Sequence, residues 1–426
     1  MRLLSAVLLF FAGTAPSHAL GDRFDDEAER FVRLVLAYGE HEDGYVDAYF
    51  GPETWAEEAK AEPASPQRLL RQTTDLVRDL RSAAFSSDPR VQARQRALIS
   101  QSEALAARIE MHMGADLSFA EEAERLFGAT PATPPLSSFD PVIARLDALV
   151  PGEGPLPARI DAYKRQFIIP EDRLDAVMRA AMDACRARTL AHIDLPKDER
   201  FTLRFVTDKP WSGYNYYQGG ANSLIEVNTD LPIYIDRAVD LGCHEGYPGH
   251  HTLMIRLEEN LVKDRGWIEY AVYPLFSPLS LIAEGTANAG IEMAFPGAAR
   301  TAFEVDTLYP LAGLDPAGAA DYAALREALR GLQEARYTIA SDYFAGRITR
   351  DEAVALTEKY QLLSPERAEQ SLRFLDTYGA YIINYGLGRD MVEAYIERVG
   401  GNDETARWAA FEALISEPVL PGDLVE

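Results

Sequence analysis

Cysteine is nearly absent from this chain: Cys185 and Cys243 are the two in 426 residues. That excludes a disulfide-scaffolded domain, although the pair fits either a bond in an oxidising compartment or two buried apolar side chains. A thiol nucleophile at Cys243 would have His244 as its neighbour, but adjacent residues on a helix point about 100° apart and would not meet. Positive charge is also short. The 42 Lys and Arg residues face 67 Asp and Glu, a net charge of −25, which repels polyanions and argues against nucleic-acid binding. No Ser/Gly-rich linker, low-complexity tract or internal repeat divides the chain, so one integrated unit is expected, with an N-terminal helical lobe over 20–195 and a second lobe over 196–426. Long apolar runs are missing except at the start. There, Arg2 precedes an apolar stretch from Leu3 to Ala15 and Ser17-His18-Ala19 follows it. The stretch is too short to span a bilayer and ends in small residues, so residues 1–19 read as a cleaved signal peptide. The expected location is periplasmic or secreted, with no membrane span after cleavage.

What the chain has in plenty is apolar sequence, 47% of the total, enough for a large core. Its spacing is helical in most segments: Phe31, Leu34, Val35 and Tyr38; Leu69, Leu70, Val77 and Leu80; Leu325, Leu329 and Leu332. A mainly α fold follows. The proline-rich stretches 131–135 and 151–155 read as loops between helices. Ser364-Pro365-Glu366 carries the signature of a helix start, and a further helix is expected from Tyr378 through Val399. Between about 200 and 230 the pattern changes to alternation, in Phe201–Val206 and Ser223–Asn228, with Gly213 and Gly219-Gly220 between them. This predicts two short strands joined by a glycine-rich connection. The strands either pack on helices or pair with an extended substrate.

Directly after this sheet comes His244-Glu245-Gly246-Tyr247-Pro248-Gly249-His250-His251. A catalytic zinc takes three protein ligands and keeps one position open, and His-Glu-x-x-His supplies two of them from one helix face with a glutamate base between. Here Pro248 stands where the second histidine would be. In an unbroken helix His250 would point about 240° away from His244, and His251 would lie about 10.5 Å further along. Pro248 cannot continue a helix and Gly249 permits unusual dihedrals, so the chain must bulge, bringing His250 to the second ligand position.

These residues resemble the His-Glu-x-x-Pro-Gly-His signature of the bacterial domain-of-unknown-function family 885, which is grouped with zincin-like, gluzincin-type metallopeptidases. Leu281-Ile282-Ala283-Glu284-Gly285 is similar to that family's Glu-Gly-Trp-Ala helix, and Gly346–Ala353 and Arg373-Phe374 through Tyr385-Gly386-Leu387-Gly388 are similar to its C-terminal blocks. The chain departs from the pattern at Thr286, where the family has Trp, and at Ala380 and Tyr381. The resemblance covers about 200–395. It implies a zincin-like fold with the small sheet beside the active-site helix, a Zn2+ ion, and Glu284 as third ligand with His244 and His250.

The expected chemistry is metal-assisted hydrolysis of a peptide or small amide, with Glu245 as general base and Tyr385 donating to the oxyanion. Arg373, Asn222 and Tyr381 are candidates for substrate contact, Asp240 for orienting a ligand histidine, and His251 for packing beside the site. A zinc amidase or esterase on the same centre, and a non-catalytic zinc-binding protein, are the alternatives. His41, His112 and His192 have no partner pattern and read as structural.

Overall fold

The computed structural model describes residues 18–84 and 86–425, and helices dominate it. The expected leader falls mostly outside the described residues. Near the N-terminus, helices His18–Gly39, Pro66–Ser82 and Pro89–His112 pack together. Each of the last two starts at a proline whose preceding residue caps it: Ser65 accepts from the Arg68 amide and Asp88 from that of Arg90. The buried faces are those the spacing marks, with Phe31, Val35, Tyr38, Leu69 and Leu80 in the core. Both proline-rich stretches are irregular connections leading into helical segments.

Two small sheets interrupt the helices. One pairs β1 (Val46–Tyr49) with β5 (Val272–Pro274), antiparallel. The other has three strands in the order β2–β4–β3: β2 (Arg200–Val206) runs parallel to β4 (Asn222–Asn228), and β3 (Gly213–Tyr217) runs antiparallel to it. The two expected strands are present, but the glycine-rich connection contains a third. Tyr214 to Tyr217 pair with Glu226 to Ser223, and this ladder satisfies backbone groups that a loop would leave to water.

The long helix expected from Tyr378 to Val399 is broken. Helix Pro365–Tyr378 ends at Gly379, which adopts a φ of 56°, and a tight turn over Gly379–Ile382 and a wide turn over Asn384–Gly388 precede helix Arg389–Gly400. The break allows close crossing. A Cβ on Gly285, in helix Pro278–Ala294, would lie 2.6 Å from the Gly388 carbonyl oxygen.

Several ties run from the N-terminal helices to the rest. The guanidinium of Arg94 is buried and donates to both oxygens of Glu269, at 2.6 and 2.9 Å, and to Asp25 at 2.8 Å. Cys185, in helix Leu174–Thr189, forms a disulfide with Cys243. No described helix is long and apolar enough to cross a membrane.

Candidate metal centre

The sequence around His244 forms a helix, a wide turn, a break and a second helix. Helix Ile235–Leu241 opens into a wide turn over Gly242–Gly246, the chain leaves helical geometry at Tyr247, Pro248 follows through a cis peptide bond, and helix His250–Leu257 begins. Gly249 makes the break possible, because a Cβ there would run into the carbonyl oxygen of His244. Its amide donates instead to the Cys243 carbonyl at 2.9 Å. The result is the bulge expected from Pro248 and Gly249.

His244 Nε2 and His250 Nε2 are 3.1 Å apart. Glu284, from helix Pro278–Ala294, places Oε2 at 3.2 Å from the first and 3.7 Å from the second. That oxygen is buried and has no hydrogen-bond partner, while Tyr381 donates to its neighbour Oε1 at 2.7 Å. For bonds of about 2.0–2.1 Å, the edges of a ligand tetrahedron are about 3.3–3.4 Å. The three donor atoms therefore stand at the spacing that one small cation demands, and the unpartnered oxygen faces the point between them. Glu245 also belongs to the cluster, with a carboxylate oxygen and the two histidine nitrogens all within 4.8 Å of one another. Glu284 makes the closer triangle. The imidazoles remain in reach of solvent, with 12% and 14% of their side chains exposed.

The electrostatics reflect how closely these donors crowd one another. Burial disfavours the Glu284 carboxylate, but His250 and His244 outweigh it and hold its pKa well below the usual range. Burial likewise opposes a charged His250, and Glu284, Glu245 and Asp47 overcome it, pushing its pKa up to about 9. Glu245 is raised by burial, with the two imidazoles opposing. Its backbone carbonyl accepts from Asn215 Nδ2 of β3 at 2.6 Å, and Gly213 leaves room for its carboxylate beside the strand. The ring of Tyr385 lies over that of His244, 6.2 Å between centroids and 20° from parallel. Burial, then Glu284 and Glu245, push its hydroxyl far above the ordinary value, so it stays protonated, a donor, at neutral pH.

The remaining candidates have other surroundings. Tyr381 is buried and donates its hydroxyl to Glu284. Asn222 donates to Gln218 Oε1 at 2.5 Å across the β3–β4 turn, three residues along β4 from Ile225, the partner of Asn215, or about 10 Å. Arg373 is exposed on a groove with Lys209, Pro210, Asp230 and Glu366. Asp240 does not touch a histidine, because Arg300 at 2.8 Å and Arg237 at 3.1 Å hold its carboxylate. His41 contacts the Ala64 carbonyl, His112 packs edge-on to Tyr38, and His192 stacks on Trp408.

Sequence reasoning missed Glu199. This buried carboxylate accepts from Tyr247, from His251 Nε2 at 3.2 Å and from Arg186 Nε at 2.6 Å, while His251 Nδ1 meets Ser223 Oγ at 2.7 Å. His251 is thereby turned away from the donor cluster. Nothing in the local pattern of Lys197-Asp198-Glu199 marks the role, which depends on residues 13 to 52 positions away.

No protein-family model matches the sequence, and no curated protein matches it. Among solved structures, the chain is similar to a "putative lipoprotein" from Colwellia psychrerythraea at 13% identity, with 85% of this chain and 68% of that one covered and a TM-score of 0.50. This shows a shared fold. Two others are more distant in shape: a "putative lipoprotein of unknown function" from Shewanella oneidensis, at 14% identity, 92% and 83% coverage and TM-score 0.43, and metallocarboxypeptidase 1 of Trypanosoma cruzi, at 12% identity, 96% and 90% coverage and TM-score 0.42.

Proposed function

We propose that this chain is an exported zinc-dependent hydrolase of peptide or related amide bonds. The observation that carries the reading is the triangle of His244, His250 and Glu284 donor atoms at tetrahedral spacing, with Glu245 beside it. His244, His250 and Glu284 would hold the ion. A zinc ion bound there supplies a lower pKa for water and polarises the scissile carbonyl. Glu245 takes the proton of the attacking water on its carboxylate and passes it to the leaving nitrogen. Tyr385 donates its hydroxyl proton to the oxygen that gains charge as the carbonyl carbon becomes tetrahedral. β3, an edge strand bonded to the base-carrying turn through Asn215, offers backbone groups to an extended substrate.

Against a closed structural site stand His251, committed to Glu199 and Ser223, and the partly exposed imidazoles, which leave one side of the cluster open. The disulfide supports an oxidising compartment, in keeping with the leader-like start. The test is the Glu245→Gln variant with zinc content measured by mass spectrometry and peptide cleavage measured on a mixed library. Unchanged metal with turnover lowered about 10²–10⁴-fold is expected. Undiminished turnover would refute the assignment.

A further inference from the structure

Helix Ala335–Phe344 carries an arginine with an unusual environment. Arg336 takes part in no side-chain hydrogen bond or ion pair among the described residues, and its Nε is shut off from solvent with no partner. Arg159 and Arg326 also leave Nε unpartnered, but their amino groups are held, by Asp147 and the Val150 carbonyl in one case and by Glu304 in the other. Burial lowers the pKa of Arg336. The groups near enough to counter this are the Tyr337 and Tyr385 hydroxyls, Arg389 acts against them, and no carboxylate contributes. The residue is half-buried, and unlike Nε its amino groups are not closed off from solvent, so a guanidinium that no carboxylate neutralises is left with donors free to take an anionic partner from solution.

The position of Arg336 gives that ligand an identity. The next residue, Tyr337, accepts the Leu387 amide at 2.9 Å through its hydroxyl, and its hydroxyl also packs against Gly386. The helix is thus fixed to the wide turn Asn384–Gly388, which carries Tyr385, and Tyr385 lies over the His244 ring. Resting on the hydrolase reading above, we infer that Arg336 is a specificity-determining residue that receives a carboxylate of the substrate beside the metal centre. A guanidinium matches a carboxylate with two parallel N–H donors, a fit that a lysine ammonium does not reproduce. The carboxylate is either the free C-terminus of a peptide or an acidic side chain near the cleaved bond.

The test compares wild-type protein with Arg336→Gln and Arg336→Lys on peptides that have a free or an amidated C-terminus, and on Glu or Gln at the positions flanking the cleaved bond. Wild-type protein should prefer one carboxylate-bearing set by at least about tenfold in kcat/KM, mainly through KM. Preference for the free terminus assigns the main-chain carboxylate, and preference for Glu assigns the side chain. Arg336→Gln should erase the preference, Arg336→Lys should restore it only in part, and zinc content should not change. Melting temperature should not fall, because no partner is left behind, whereas a structural arginine would lower it. Calorimetric binding of N-acetylphenylalanine against N-acetylphenylalaninamide gives a readout without turnover. If no peptide is cleaved but the acid binds better to wild type than to Arg336→Gln, the hydrolase reading fails and the carboxylate site stands. Equal binding and equal selectivity in wild type and Arg336→Gln, or a melting temperature that drops with the charge, overturns the inference.

Discussion

At the scale of single residues, the proposed metal centre depends on which oxygen of Glu284 is occupied. Tyr381 holds Oε1, so Oε2 is left without a partner, and the carboxylate cannot rotate without breaking a buried hydrogen bond. Tyr381→Phe keeps the ring and removes that constraint. Competition with a chromophoric chelator should show zinc affinity lower by about 10–100-fold, with little loss of folded protein, and an unchanged affinity would show that packing alone orients Glu284. The histidines and Glu245 were legible because Pro248 and Gly249 dictate local backbone geometry that sequence displays directly. Glu284 was legible only through the family resemblance, since a carboxylate inside Leu281–Gly285 looks like any other helix residue. Asp240 was misread for a related reason. Its partner Arg300 is 60 positions away, and helical spacing near His244 carries no sign of it.

At the scale of elements, helices followed from apolar spacing because their hydrogen bonds are local. β3 was hidden, since Gly213 and Asn215 weaken its strand propensity and its existence depends on pairing with β4. β1 was hidden further still, as its partner β5 is more than two hundred residues away. The turns at 379–388 were hidden by apolar spacing that continues across them, and close crossing at Gly285 and Gly388 explains the interruption. The disulfide acts at this scale. It fastens the turn carrying His244 to helix Leu174–Thr189 across 58 positions. Replacing both cysteines by alanine should lower unfolding free energy by about 2–4 kcal/mol in urea titration. A loss of zinc with no loss of stability would mean that the bond shapes the site more than it restrains the unfolded chain.

Across the whole molecule, Glu199 joins parts that are distant in sequence: Arg186 from the helix behind the site, Tyr247 from the break, and His251, which continues to Ser223 on β4. Burial penalises its charge, but His251, Tyr247 and Arg186 hold its pKa at about 2, below the ordinary 4.5. A carboxylate depressed on folding stabilises fully above its unfolded pKa and loses that contribution as pH falls toward the folded value. The stability gap between wild type and Glu199→Gln, followed by urea denaturation, should therefore be constant above about pH 5 and should close between about pH 4.5 and 2. A gap that persists unchanged at pH 2.5 would rule out the charge as its origin. Another long-range tie, Arg94 to Glu269, sits in the same category of features that only the folded chain displays.

The contact between Gly285 and Gly388 has a further effect. One backbone stands directly after the third donor and the other closes the turn that bears Tyr385, with no side chain between to absorb a displacement. A single added methyl group at either position would push both parts at once. In the proposed hydrolase, ion retention and oxyanion stabilisation would thus be mechanically geared together, and drift in this pair of positions would silence the site in one step instead of tuning it.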